Sequence, residues 1–63
     1  MKTIKTYTND SDFLIKIIEK DGNFLVVIVD SCEIQTPETL ATFSDYKRAK
    51  EYAEHENEQY NFD

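Results

Sequence analysis

Phe13-Leu14-Ile15-Lys16-Ile17-Ile18-Glu19-Lys20-Asp21-Gly22-Asn23-Phe24-Leu25-Val26-Val27-Ile28-Val29-Asp30 is the stretch that decides the fold. Two runs rich in β-branched and aromatic residues flank Asp21-Gly22-Asn23, and this pattern predicts an antiparallel hairpin. Two turn forms fit the residues. In a two-residue type I′ turn, Asp21-Gly22 forms the centre and Lys20 pairs with Asn23. In a type I turn closed by Gly22 in a left-handed bulge, Glu19 pairs with Asn23. The second form is preferred, because it sets Phe13, Ile15 and Ile17 beside Leu25, Val27 and Val29 on one face with no polar residue among them.

On that register the opposite face carries Leu14, Lys16, Ile18 and Lys20 on one strand and Phe24, Val26, Ile28 and Asp30 on the other. A strand that is apolar on both sides is ordinarily central in its sheet and covered on both faces. Upstream, Thr3 to Thr8 reads as a strand pairing with the Phe13 run, and Asn9-Asp10-Ser11-Asp12 is a cluster of turn formers. Downstream, Ser31 to Ile34 is a candidate extension of the second hairpin strand. Pro37 marks a loop, and Leu40 to Phe43 reads as a short strand. Ser44 is the expected N-cap of a helix running from Asp45 to about Gln59.

Tyr46, Ala49, Ala53 and Tyr60 share a narrow stripe of that helix, with Tyr52 and Glu56 at its edges. Alanines at the centre of the stripe let a helix lie close to a sheet, and tyrosines at its margins keep their hydroxyls wet. The expected fold class is α+β: a small antiparallel sheet of three or four strands with one C-terminal helix packed on one face. Residues 1–63 are read as a single compact domain.

Composition narrows the chemistry. The chain has 63 residues, 13 acids against 7 bases, and single copies of Gly, Cys and His. Cys32 has no partner for an internal disulfide, and Cys32 with His55 is too few ligands for a structural zinc site. Gly22 is taken up by the hairpin turn, which leaves no glycine-rich phosphate cradle. A Cys32 nucleophile with His55 as its base lacks a third, orienting group. The expectation is therefore no enzyme, no cofactor and no metal. No secretory signal or membrane span is read from the sequence, so the cytoplasm is the expected compartment. Net negative charge argues against direct binding to nucleic acid or to an anionic membrane.

The distribution of charge says more than its sum. Through residue 50 the chain holds 8 acids and 7 bases, whereas Glu51, Glu54, Glu56, Glu58 and Asp63 follow without a single Lys or Arg. Glu51, Glu54 and Glu58 project on one side of the helix, crowding the end where its dipole is already negative. A solvated face that keeps a small protein in solution accounts for such glutamates. An acidic docking strip for a basic groove accounts for them too, with charge-assisted contacts to arginine.

The second sheet face offers another candidate. With the helix over the other side, Leu14, Ile18, Phe24, Val26 and Ile28 would be exposed, and contiguous apolar exposure marks an interface unless residues 1 to 8 or 31 to 43 fold across it. The residues expected to bind a partner are thus Glu51, Glu54 and Glu58 on the helix and Phe24, Val26 and Ile28 on the sheet. The expected function is that of an acidic protein-binding module. It would be an inhibitor or regulator from a phage or other mobile element, docking on the basic groove of a nucleic-acid-handling protein. The alternative is a homo-oligomeric, antitoxin-like subunit, such as a homodimer, associating through its apolar sheet face.

Overall fold

The computed structural model describes residues 1–32, 34 and 36–60. Four strands and one helix follow in the order β1 (Lys2–Tyr7), β2 (Phe13–Lys20), β3 (Asn23–Asp30), β4 (Glu38–Phe43) and α1 (Tyr46–Glu58). The strands form one antiparallel sheet in the order β1-β2-β3-β4, each beside its neighbour in sequence. The helix lies across one face of that sheet, so the α+β class with a C-terminal helix on a small antiparallel sheet is the observed one.

The hairpin turn corrects the preferred register. Asp21 has φ 52° and Gly22 φ 81°. Positive φ at both central residues is the type I′ geometry that an Asp-Gly pair adopts at little cost. Lys20 accordingly pairs with Asn23, Ile17 with Val26 and Ile15 with Ile28. The covered face therefore holds Ile15 and Ile17 beside Phe24, Val26 and Ile28, and the opposite face holds Leu14, Lys16 and Ile18 beside Leu25, Val27 and Val29. Apolar matching favoured the wrong register, because β3 offers three large apolar residues to either side and the preference rested on polar residues at the hairpin ends alone. Turn chemistry chose. The polar residues that this register admits to the covered face, Glu19 opposite Phe24 and Asp30 opposite Phe13, stand at the two ends of the hairpin, where they reach water.

The core follows from that register. Ile15, Ile17, Val26, Ala49 and Ala53 each have 0% of their surface exposed. The two alanines bring the helix close to the central strands, as the sequence stripe implied. Phe24, Ile28, Leu40, Phe43, Tyr7, Tyr46, Tyr52 and Tyr60 pack around this centre. Ring contacts pin the direction of the helix: Tyr46 meets Phe24 at 5.7 Å beside the hairpin turn, and Tyr60 meets Phe13 at 6.4 Å at the far end.

Residues 2–7 and 38–43 do not fold across the second face. They widen the sheet as its edge strands, each interrupted by a bulge: Ile4 is the extra residue in β1 and Leu40 in β4. No described element lies over the second face, and the described residues of the 31–37 connection are exposed. Even so, Leu14, Ile18 and Leu25 are only half-exposed, and Val27 and Val29 are 3% and 4% exposed. The expected broad apolar exposure is thus absent among the described residues, whose exposed large apolar side chains are Met1, Ile4, Phe13 and Ile34.

Three smaller expectations also change. The helix N-cap is Asp45, whose carboxylate accepts from the Lys47 amide at 3.2 Å, so Ser44 stands one residue outside. Ser31 and Cys32 turn away from β3 rather than extending it, while Glu33 lies outside the described residues. Asp63, one of the five C-terminal acids, also lies outside them.

Candidate partner-binding surface

The structure separates the six residues expected to bind a partner. Phe24, Val26 and Ile28 lie beneath the helix, with Val26 fully enclosed. They cannot form an open apolar face, because the type I′ register turns that side of β3 towards Ala49 and Ala53. Glu51, Glu54 and Glu58 are exposed on the helix. With Ala49 and Ala53 facing the sheet, 100° per residue sends Glu51 and Glu58 to the outer surface and Glu54 towards its β1 flank.

Helix charge is arranged against the backbone dipole. Lys47, Arg48 and Lys50 occupy the first half, the first turn has no acid, and His55 is the basic residue of the last turn. Glu51 stands just before the midpoint at Tyr52, and Glu54, Glu56 and Glu58 fill the second half. A helix optimised for its own stability would show the opposite order, each exposed charge being worth about 0.3–1 kcal/mol near its preferred end.

A polar clasp fixes where that acidic half comes to rest. In the β1–β2 loop, Asn9 Oδ1 accepts from the Ser11 amide at 2.8 Å and from Ser11 Oγ at 2.5 Å, the local turn that an Asn-Asp-Ser-Asp run favours. Asn9 Nδ2 donates to Asn57 Oδ1 at 2.8 Å, and Asn57 Nδ2 donates to the Thr8 carbonyl at 2.9 Å. Nearby, Tyr7 Oη donates to Glu54 Oε2 at 3.4 Å. Burial and then the neighbouring Glu54 charge push the Tyr7 hydroxyl up to about 12. Tyr52 is also raised, by burial and by Glu56. After burial, a helix carboxylate is the next cause of each shift.

This geometry adds residues that sequence reasoning missed. The loop clasped to Asn57 carries Asp10 and Asp12, and the Ser31 amide donates to the Asp12 carbonyl at 2.7 Å, bringing the end of β3 with Asp30 to the same place. One end of the molecule therefore gathers Asp10, Asp12, Asp30, Glu54 and Glu58 around the negative end of the helix. The signal was present in part: an antiparallel meander must place residues 8–13 and 30–31 at one end. The direction of the helix over them was not. Cys32 is an exposed thiol in the turn beyond β3. The described carboxylates are spread along this end and form no group that could hold a metal ion.

Fold and surface together define a small α+β domain with one acidic end. Comparison of the chain with protein-family models, with curated proteins and with solved structures returned no match. No helix among the described residues is long and apolar enough to cross a membrane.

Proposed function

We propose that this protein is a non-enzymatic binding module whose acidic end docks on a basic groove, as an inhibitor or regulator of a nucleic-acid-handling protein. The observation that carries the reading is a helix end that sets Glu56 and Glu58 against its own dipole and is clasped so that Glu54 and Glu58 share one end of the molecule with Asp10, Asp12 and Asp30. An arrangement that costs local stability is better explained by a surface with a task than by solubility, for which charges could stand anywhere. Desolvated arginines of a nucleic-acid-binding groove would find carboxylates able to accept paired hydrogen bonds. We place the protein in the cytoplasm, where Cys32 stays a thiol, and assign its origin to a phage or other mobile element on its abundance of Lys, Ile, Asn, Asp, Glu and Tyr.

The test is a pull-down at low and moderate salt with the wild type and with Glu51→Lys/Glu54→Lys/Glu58→Lys. The wild type should capture nucleic-acid-binding proteins that added duplex DNA releases, and the variant should lose them. Capture that survives charge reversal with its salt dependence intact would show the acidic end to be idle.

A further inference from the structure

The two edges of the sheet are protected unequally. β1 carries Lys2 and Lys5 within its span, with the Lys5 ammonium 5.0 Å above the Tyr7 ring, and it also has the bulge at Ile4. Charged side chains, lysine above all, and bulges are the usual means of keeping an edge strand from pairing with another chain. β4, Glu38-Thr39-Leu40-Ala41-Thr42-Phe43, has no lysine, arginine or proline, and its one charge stands at its first residue. Its other feature is the bulge at Leu40.

That bulge selects a register for self-pairing. Glu38 is opposite Ile28, Ala41 opposite Val26 and Phe43 opposite Phe24, so Glu38, Ala41 and Phe43 belong to the helix side of the sheet. Thr39, opposite Val27, and Thr42, opposite Leu25, belong to the open side. Residues directly opposed in an antiparallel pair must share a face. In an unbulged strand, self-pairing about a point between two residues would violate that rule. The extra residue at Leu40 reverses the alternation midway and satisfies it. Glu38 then meets Phe43 of the partner subunit, Thr39 meets Thr42 of the partner subunit, and Leu40 meets Ala41 of the partner subunit. Registers centred on a single residue bring unlike faces together on one side of the bulge or the other.

We infer that β4 is the edge through which a second copy of this chain adds to the sheet, forming a two-fold dimer by antiparallel β4–β4 pairing with Thr39 opposite Thr42 of the partner subunit. The pairing is isologous and closes at two copies. Glu38 of one copy stands five positions along the ladder from Glu38 of the partner subunit, about 17 Å, which is beyond the roughly 8 Å screening length at physiological salt. Half-buried Leu40, Phe43 and Tyr52, with the Phe43 and Tyr52 rings 5.5 Å apart, line the helix side of this edge and gain cover from the partner copy. The acidic end stays open in such a dimer, so this inference is independent of the proposed docking function.

Sedimentation of the wild-type chain over a hundred-fold concentration range up to about 1 mM tests it. A species of twice the 7.4 kDa chain mass should form and saturate. A monomer throughout, or an assembly that keeps growing as head-to-tail β1–β4 pairing would, overturns the inference. Thr39→Lys/Thr42→Lys places lysines in direct opposition twice across the two-fold and should weaken the dimer at least about tenfold. Thr39→Lys/Thr42→Glu makes the same pairs opposite in charge and should restore association to within about threefold of wild type. Equal behaviour of the two variants would contradict the register.

Discussion

The two ends of the helix are built on opposite principles. At the hairpin end, Asp45 caps the first turn, the Tyr46 ring rests on Phe24, and Lys2, Lys20, Lys47 and Arg48 mix with Glu19, Asp21 and Asp45. Charges of both signs there offset one another. At the far end the helix terminates among carboxylates, held by two side-chain amides as well as by the Tyr60 ring against Phe13. One end is arranged for stability. The other accepts a penalty and is tied in place, which is the feature on which the proposed docking role rests.

The largest expected effect comes from untying the acidic end. Asn57→Ala removes both bonds to the β1–β2 loop and should lower stability by about 1–2 kcal/mol, read by urea unfolding. It should also increase hydrogen exchange at the Ser11 amide, which Asn9 holds, while leaving the Ala49 amide, bonded to the Asp45 carbonyl, protected. Uniform loss of protection along the helix would mean that the clasp is not local. At the other end, Asp45→Ala deletes the cap and should cost about 1 kcal/mol. Glu58→Lys relieves the dipole and should raise stability by about 0.3–1 kcal/mol, a gain that fades with added salt. A loss would show that Glu58 has a stabilising neighbour and that the penalty argued for this end is not real.

Alkali should separate the ends as well. Tyr7 and Tyr52 have folded-state hydroxyls held above their ordinary value of 10.0, so each favours the folded state below that pH. For Tyr7 the contribution is lost as pH rises from 10 through about 12, since the unfolded chain releases that proton first. Tyr7→Phe should flatten the alkaline fall in stability over this window, and an unchanged fall would detach Tyr7 from Glu54.

How much of this was legible in the sequence follows from which residues had a choice. The span of β2 was readable from its β-branched and aromatic run ending at the Asp21-Gly22 turn, that of α1 from its helical period, and the Ala49–Ala53 stripe correctly named the helix face that meets the sheet. The register was not, because Phe24-Leu25-Val26-Val27-Ile28-Val29 is apolar at both parities. A one-residue slip moved Phe24, Val26 and Ile28 from an expected partner face into the core. Local backbone preference at Asp21-Gly22 outranked side-chain matching. Glu51, Glu54 and Glu58 were correctly placed on the exposed side of the helix, since helical spacing needs no tertiary information. Their company was hidden. Asp10, Asp12 and Asp30 join them only through the Asn9–Asn57 and Ser31–Asp12 hydrogen bonds, which link residues far apart in sequence or across the sheet end.

The central claim is that position at one end, not net charge, makes the surface. It is tested most directly by titrating an arginine-rich peptide against wild type, Glu58→Lys and Glu19→Lys at several salt concentrations. The two substitutions change net charge equally at opposite ends of the molecule. Glu58→Lys should weaken binding and flatten its salt dependence, while Glu19→Lys should leave both close to wild type. Equal weakening by the two, or none by Glu58→Lys, would contradict the account.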